Sequence, residues 1–256
     1  MKASSATPFF KLLGPAWTRT FRNVWMLEEL GLQYDLIEKE AMPQSRLVKQ
    51  FEPTGKVPVL LEYESRESAQ RNEAIPVFVL TESVAINTYL GDRFAEHCHP
   101  DRFVPSTNNP HARARYDAIV SCILSELDAQ GLWIDRKHNP SSDVSKYFGV
   151  IPEAAQAAQA QFERIHQQVA QPLANQPYLL GDSFTAADIL YVHCLDWAKL
   201  LGWDIFGQLE SGHQELWLHE YLNRCHARPA YQRARALRQS SPRPVRKSQN
   251  EKQSKI

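Results

Sequence analysis

The sequence has no net charge, no clustered cysteines and no long apolar segment, and each absence argues against a class of protein. Its 29 lysines and arginines balance 29 aspartates and glutamates, so no global field attracts nucleic acid or an anionic membrane. The four cysteines are far apart and have no CxxC or metal-type spacing, which favours reduced thiols over a disulfide framework. No signal-type core follows Met1-Lys2, and no apolar run approaches the roughly 20 residues that span a bilayer. We therefore expect a soluble, cytoplasmic protein without metal, nucleic-acid partner or membrane partner.

The 256 residues are enough for two domains, and the sequence pattern changes between residues 95 and 110. Strand and helix patterns alternate in residues 9–94, which predicts an α/β domain. Residues 95–110 contain the Pro, Asn and Ser typical of a linker. Residues 111–238 have helical periodicity, which predicts an all-helical domain. We expect residues 1–8 to form a loose arm and the basic residues 239–256 to form a disordered tail.

The α/β part begins with a strand, a helix and a second strand. Phe9–Leu13 predicts the first strand, the helix that follows ends at Gly31, and residues 33–38 predict the second strand. This order within about 30 residues indicates a βαβ unit with parallel strands. Thr18 lies just before the helix, where a hydroxyl is a natural N-cap. A thiol held beside that hydroxyl and the helix dipole would have its pKa lowered from about 8.5 toward neutrality.

Two further strand patterns adjoin features that suit ligand binding. Pro58 interrupts the first pattern, and because proline cannot donate to a sheet ladder we expect a sheet-edge or strand-entry position. There the amide and carbonyl of Val57 would be free for a ligand. The second pattern, Val77–Leu80, leads to Glu82 and Ser83 at the start of a helix, where unpaired N–H groups and the dipole suit a carboxylate. Glu82 could hold an amine beside it, which indicates a ligand with an amino acid head and a peptide-like body.

The Val-Pro pair, followed after a hairpin by Glu-Ser, resembles the glutathione-binding half of the cytosolic glutathione transferases. The segment WTRTFRNVWMLEELGL, residues 17–32, is similar to the first helix of many bacterial and fungal members, in which a Trp-x-Leu-Glu-Glu-Leu-Gly pattern follows a Ser-Arg pair. Near the other end, YLLGDSFTAADIL, residues 178–190, resembles the capping box of the transferase helical domain. The resemblance covers about residues 9–238. It implies a thioredoxin-like α/β domain followed by an all-helical domain, the GST fold.

The resemblance also assigns roles within the site. In the family the proline is cis and the residue before it pairs with the tripeptide, which implies glutathione binding by Lys56, Val57, Pro58, Glu82 and Ser83. The family's thiol-activating serine corresponds to Thr18, and Thr20 is the second candidate. No tyrosine lies in this loop, which argues against the tyrosine-type classes.

The second substrate is expected where the helical domain faces this loop. An apolar stripe from Tyr116 to Leu127 predicts a core helix that ends before Gly131. Aromatic and basic side chains follow in residues 132–138. We expect the pocket wall to include Trp17, Tyr116 and Trp133, with Lys137 or His138 as further candidates. A helix-end aromatic with solvated charges is the alternative interpretation of residues 132–138.

Other patterns concern folding alone. Residues 62–74 are predicted to be an exposed, charged insertion. A helix is expected over about residues 152–175, a capping box joins Thr185 and Asp188, and a last amphipathic helix covers about residues 217–225. A short basic segment follows.

The resemblance implies a homodimeric glutathione transferase that conjugates the glutathione thiolate to a small hydrophobic electrophile, with a role in detoxification. Two alternatives stay open. One is a binding or scaffold protein that keeps the fold, binds glutathione or a protein partner, and has no turnover. The other is thiol exchange, which is less favoured because no cysteine precedes Cys98.

Overall fold

We describe a computed structural model of the chain over residues 7–71, 74–98, 102–206 and 214–242. Most of the expected N-terminal arm and of the basic tail lies outside these residues. Within them, an α/β half precedes a helical half, as predicted from the sequence. No helix among the described residues is long and apolar enough to cross a membrane.

One four-stranded sheet, in the order β2-β1-β3-β4, forms the centre of the α/β half. The strands are β1 (Phe9–Leu13), β2 (Tyr34–Ile37), β3 (Val59–Tyr63) and β4 (Phe78–Thr81). β1 and β2 are parallel, whereas β3 is antiparallel to both β1 and β4. The predicted βαβ unit is therefore confirmed.

Four helices accompany this sheet: α1 (Thr20–Leu30), α2 (Arg46–Phe51), α3 (Arg66–Ala69) and α4 (Ser83–Arg93). α1 ends at Gly31, whose φ of 62° is left-handed, and the amide of Leu32 donates to the carbonyl of Leu27 over 3.1 Å. This is the glycine C-cap that the sequence indicates, because an L side chain is unfavourable at that φ.

Pro58 stands at the entry to β3, one of the two positions expected for it. Because β3 pairs on both sides, the other position, a sheet edge, does not apply. One expectation for the α/β half needs correction. The expected insertion at residues 62–74 is largely structured in its described part. Glu62 is a buried residue of β3, and α3 begins in a capping box between Ser65 and Ser68. Glu62 pairs with Arg93 of α4, whereas Glu64, Arg66 and Glu67 are exposed.

The helical half begins with one long run of helix. α5 (Pro110–Cys122) continues into a π-helical stretch (Ile123–Trp133) and then into α6 (Ile134–His138). Gly131 was expected to follow the end of the helix, and this was wrong. A Cβ at Gly131 would lie 3.1 Å from the Cβ of Phe162, so this glycine permits close packing between two helices and does not terminate one.

The remaining helices are α7 (Ser145–Phe148), α8 (Pro152–Ala170), α9 (Ala186–Leu200), α10 (Gln214–His226) and α11 (Pro229–Ser240). The capping box at the start of α9 is present as predicted. The Asp188 carboxylate accepts from the Thr185 amide over 2.8 Å and from the Leu179 amide and Tyr221 hydroxyl over 3.0 Å each. It therefore ties three parts of the helical half together.

α11 was not predicted, since only a basic segment was expected after Pro229. Tyr231 of this helix packs edge-on against Trp25 of α1 at 4.8 Å between ring centroids, and Arg228 pairs with Glu29 over 2.6 Å. The disordered tail was expected to begin at residue 239, but Ser241 and Pro242 form hydrogen bonds to the α/β half. The Ser241 hydroxyl donates to Glu38, and the Pro242 carbonyl accepts from the Trp17 indole N–H over 2.9 Å.

Candidate functional site

The start of α1, the entry to β3 and the start of α4 meet at one place. Gly14, with φ of 128°, ends β1 there: a Cβ on it would lie 2.4 Å from Thr20 Oγ1 and 2.8 Å from Val57 Cβ. Arg22 of α1 donates from Nη1 to Ser83 Oγ over 3.1 Å. The α1 loop therefore lies beside Val57, and α1 itself contacts Ser83.

Val57 carries an unused backbone donor and acceptor. The peptide bond to Pro58 is cis, as the resemblance implies. Within the described part of the chain, the amide and carbonyl of half-buried Val57 form no hydrogen bond. Polar backbone groups in such surroundings are normally paired, so these two groups are free to bond with a ligand. Lys56, beside them, is exposed.

The start of α4 has the features of an anion site. Glu82 is exposed and adopts φ of 69° and ψ of 116°, outside the usual regions for a residue with a side chain. Strained positions of this kind concentrate at functional sites. Ser83, the first residue of the helix, is buried, and its hydroxyl accepts from Arg22 and so keeps its proton for another acceptor. The Arg22 guanidinium adds positive charge behind a helix N-terminus that already favours anions.

The two threonine hydroxyls of the α1 loop bond to each other and to backbone. Thr18 Oγ1 donates to the Pro15 carbonyl over 2.7 Å, lies 2.9 Å from Thr20 Oγ1 and accepts from the Thr20 amide over 3.2 Å. The expected N-cap geometry is absent, since Arg19 holds the N-cap position without a side-chain bond. Thr20 is buried, whereas Thr18 is partly exposed and lines a cavity. Only Thr18 therefore faces open space.

That cavity holds about 780 Å³ and is bounded by the loop before α1 and by α6, α9 and α11. Its lining is basic and aromatic as well as polar: Trp17, Thr18, Arg19, Asp135, Arg136, His193, Trp197 and Arg238, with residues of the 139–143 loop and Leu200 and Leu201. Trp17 was expected in the wall of the second-substrate pocket, and Thr18 was expected to activate the thiol. The structure does not bring Tyr116 there: that residue is buried, and its hydroxyl lies 3.2 Å from the Thr88 hydroxyl.

Trp133 lies behind the cavity wall and contacts the guanidinium of Arg19. The Arg19 guanidinium lies 5.2 Å from the Trp133 ring centroid and 5.1 Å from that of Trp197. The further candidates, Lys137 and His138, are not among the lining residues: Lys137 lies over Trp133, and His138 bonds to the Gly149 carbonyl. Trp133 was expected in the pocket wall but is also not among the lining residues, whereas Asp135 and Arg136 of the same segment line the cavity.

A buried charge network underlies both the cavity and the α4 start. The Asp128 carboxylate pairs with Arg19 and, over 2.6 Å, with Arg22. Burial alone would raise the pKa of Asp128, but the charges of Arg22 and Arg19 outweigh it and hold the pKa well below its usual range. Arg22 Nε also donates to His193 Nδ1 over 3.1 Å, and burial and that neighbouring guanidinium lower the pKa of His193, so the imidazole is neutral.

The network and the basic side chains of the cavity were missed by sequence reasoning. The Ser-Arg resemblance pointed at Arg19, yet nothing local indicated its partner 109 residues away. Among the described residues, no group of three or more His, Cys, Asp or Glu could hold a metal ion.

Comparisons with known proteins identify the family. Residues 19–93 match the model of the glutathione S-transferase N-terminal domain, and residues 150–235 match that of the C-terminal domain. The two matches together cover more than half of the chain, which belongs to the cytosolic glutathione S-transferase superfamily. A comparison with curated proteins found no match.

Solved structures agree on the fold. The glutathione transferase URE2P6 from Phanerochaete chrysosporium, in complex with oxidized glutathione, is 17% identical with a TM-score of 0.70, over 90% of this chain and 96% of that one. A glutathione S-transferase from Xylella fastidiosa is 20% identical with a TM-score of 0.67, over 89% and 98%. The theta class enzyme from Xanthomonas axonopodis pv. citri with glutathione bound is 23% identical with a TM-score of 0.64, over 89% and 97%. The chain therefore has the GST fold.

Proposed function

We propose that the protein is a glutathione transferase that conjugates the glutathione thiolate to a small electrophile with an apolar body, as a cytoplasmic detoxification enzyme. One observation carries the proposal: the unpaired backbone of Val57 and the α4 start adjoin the α1 loop, whose Thr18 faces a cavity large enough for a second substrate. The family and the structural relatives with bound glutathione support the choice of thiol. Residues 9–94 would bind glutathione, and residues 111–238 would supply most of the second pocket.

In the proposed complex, the backbone of Val57 pairs with the tripeptide beside Pro58. The α4 start and the Ser83 hydroxyl bind the carboxylate of its amino acid head, and Glu82 binds the amine beside it. Lys56, exposed at the other end, meets the distal carboxylate. Conjugation then needs only a stabilised thiolate held near the electrophile.

Thr18 is the proposed thiolate donor. Its proton now points to the Pro15 carbonyl, so activation requires the hydroxyl to turn toward the sulfur. Hydrogen bonds to charged acceptors are roughly twice as strong as neutral ones, and a thiolate therefore competes well with that carbonyl. Thr20 is buried and already bonded to Thr18, which makes it a positioning residue for Thr18 in this proposal.

The first experiment measures the pKa of the glutathione thiol bound to the purified protein, from thiolate ultraviolet absorbance against pH. We expect a value well below that of free glutathione. Thr18→Ala should return it toward the free value, whereas Thr18→Ser, which keeps the hydroxyl, should not. Thr20→Val is the matched comparison, and a larger effect there than at Thr18 would transfer the donor role to Thr20.

The competing function is a binding protein without turnover. The bond from Thr18 to Pro15 favours it, because the hydroxyl proton is already used in the free protein. Glutathione that binds with the thiol pKa of free glutathione, and no conjugation of any of several electrophiles, would establish this alternative and refute the transferase.

We also propose a homodimer, with β4 and α4 at its interface. Ile75 is 85% exposed, Val77 56% and Phe78 41%, and Phe78 borders an open apolar groove with Leu80, Val84 and Leu124. Exposed apolar surface of this kind typically marks an interface. Light scattering should give twice the chain mass, and Phe78→Glu should shift the protein toward monomer. Wild-type protein that remains monomeric at micromolar concentration would refute the dimer.

A further inference from the structure

We propose that the second substrate of this protein carries an anionic group, a carboxylate or sulfonate on a flat aromatic body, and that Arg136 binds that group. The inference rests on the proposed function, since it names the class of electrophile that the cavity accepts. It starts from the composition of the cavity wall. Three arginine side chains, those of Arg19, Arg136 and Arg238, line this cavity, which is more basic than a purely apolar electrophile requires.

Arg136 provides the clearest evidence. Its Nε is buried and has no hydrogen-bond partner among the described residues. Its closest carboxylate is that of Asp143, 3.8 Å from Nη2 and too far for a hydrogen bond, and the Asp143 side chain is 64% exposed. A guanidinium is charged at every physiological pH and presents donors in a fork that matches an oxyanion. Buried donors in native proteins are nearly always paired, so this guanidinium is not fully satisfied by the protein. The side chain is 30% exposed and lines the cavity, where a ligand oxyanion can reach it.

The acidic side chains of the wall are fewer than the basic ones. Asp135 and Asp143 line the cavity together with Arg19, Arg136 and Arg238, and the buried Asp135 carboxylate accepts from Asn139 over 2.9 Å. Behind the wall, Arg19 and Arg22 share the single carboxylate of Asp128. Two guanidinium groups against one carboxylate leave positive charge beneath the cavity floor.

The aromatic part of the ligand is indicated by the flat surfaces around these charges. Trp17 and Trp197 both line the cavity. The Trp17 indole is fixed by its bond to the Pro242 carbonyl, and the Arg19 guanidinium stacks over the Trp197 ring. Planar groups stack favourably on indole and guanidinium faces. The surfaces therefore fit an aromatic ring whose anionic substituent reaches Arg136.

A matched pair of electrophiles tests the charge requirement. 4-Chloro-3-nitrobenzoate and 4-chloro-3-nitrobenzamide share ring, nitro group and leaving group and differ only in the anion. In both, the thiolate sulfur forms a bond to C4, the C–Cl bond breaks, chloride leaves with the bonding electrons, and the thiol proton passes to solvent. We expect kcat/KM for the benzoate to exceed that for the benzamide by about tenfold, after correction for the uncatalysed rates.

The residue assignment is tested with Arg136→Gln. This variant should lower kcat/KM for the benzoate by a much larger factor than kcat/KM for the benzamide and so remove most of the preference for the benzoate. Arg164→Gln is the matched control, because Arg164 is an exposed arginine of α8 that bonds to Gln161 and does not line the cavity. It should keep the full preference. A wild-type protein that favours the benzamide, or an Arg136→Gln variant that changes both rates equally, would overturn the inference.

A binding measurement separates this inference from the transferase proposal. Quenching of tryptophan fluorescence by 4-nitrobenzoate and by 4-nitrobenzamide, without glutathione, reports the cavity alone. Selective binding of the benzoate that Arg136→Gln abolishes, with no conjugation of either electrophile, would support the anion site while the transferase fails. Equal binding of the two ligands by the wild type would refute the anion site whatever the activity. If Arg136→Gln does not fold, the wild-type comparison still decides the charge requirement.

Discussion

Asp128→Asn should be the most damaging conservative substitution in this protein. The Asp128 carboxylate is 1% exposed and accepts from Arg22, whose side chain is also 1% exposed, over 2.6 Å, and from Arg19 Nε over 2.9 and 3.0 Å. An amide of the same shape leaves the Arg22 guanidinium buried without a counter-ion. Removal of one partner of a buried ion pair costs about 3–5 kcal/mol. The Arg19 side chain is 28% exposed and can recover part of its hydration, so the loss of its pairing with Asp128 adds less to the cost in unfolding free energy.

Urea unfolding followed by circular dichroism measures this cost. Asp117→Asn is the matched control, because Asp117 lies on the preceding helix and its pairing with Arg113 involves a carboxylate side chain that is 57% exposed. Exposed pairs of this spacing contribute about 0.3–0.5 kcal/mol. If Asp128→Asn lowers the free energy of unfolding by less than about 1 kcal/mol, or by no more than Asp117→Asn does, the buried network does not stabilise the fold.

The same substitution should alter acid sensitivity and the glutathione site. Because the native pKa of Asp128 is depressed below its unfolded value, its contribution is complete above about pH 4 and is lost as the pH falls through the native pKa. Asp128→Asn should remove that part of the acid dependence. Arg22 also holds the Ser83 hydroxyl, so glutathione affinity should fall in the variant more than in Asp117→Asn, as isothermal titration would show.

Three further predictions concern local structure and pH. Thr185→Ala removes one half of the capping box and should lower the free energy of unfolding in urea by about 1–2 kcal/mol. The pKa of the bound thiol should not change. A loss of stability smaller than the loss caused by replacing an exposed threonine with alanine would contradict the assignment. Gly31→Ala places a Cβ at φ of 62° and should lower the free energy of unfolding by about 1–2 kcal/mol. No atom lies within 4 Å of that Cβ, so the cost is conformational and not steric. An unchanged urea midpoint would refute this reason. Burial lowers the pKa of His166, which hydrogen-bonds to Tyr191 and Ile205. The contribution of the neutral imidazole to the free energy of unfolding should therefore be complete above about pH 6.5 and decrease as the pH falls below it. The decrease with pH should be less steep in His166→Gln.

Most secondary structure was predictable because its signals are local. Phe9–Leu13 is the first strand as predicted, Gly31 ends α1, and Thr185 with Asp188 caps α9. Each depends on a few adjacent residues. Gly131 and α11 were not predictable in the same way. Glycine ends helices often, and only the contact with Phe162 shows that this one lies inside a helix. The residues of α11 appear merely basic until Arg228 and Tyr231 meet Glu29 and Trp25 of α1.

The same distinction divides the site. The proposed glutathione half consists of adjacent residues, Val57 with Pro58 and Glu82 with Ser83, so sequence resemblance could indicate it. The cavity is formed by the loop before α1 and by α6, α9 and α11, and no spacing marks Arg136 or Arg238 as neighbours of Thr18. Tyr116 is an example. The helical pattern correctly predicted that this tyrosine lies on a core helix, but it did not indicate whether the side chain lines the cavity. The proposed glutathione site and the proposed second-substrate cavity can therefore diverge independently in sequence, because adjacent residues form the first and residues distant in sequence form the second.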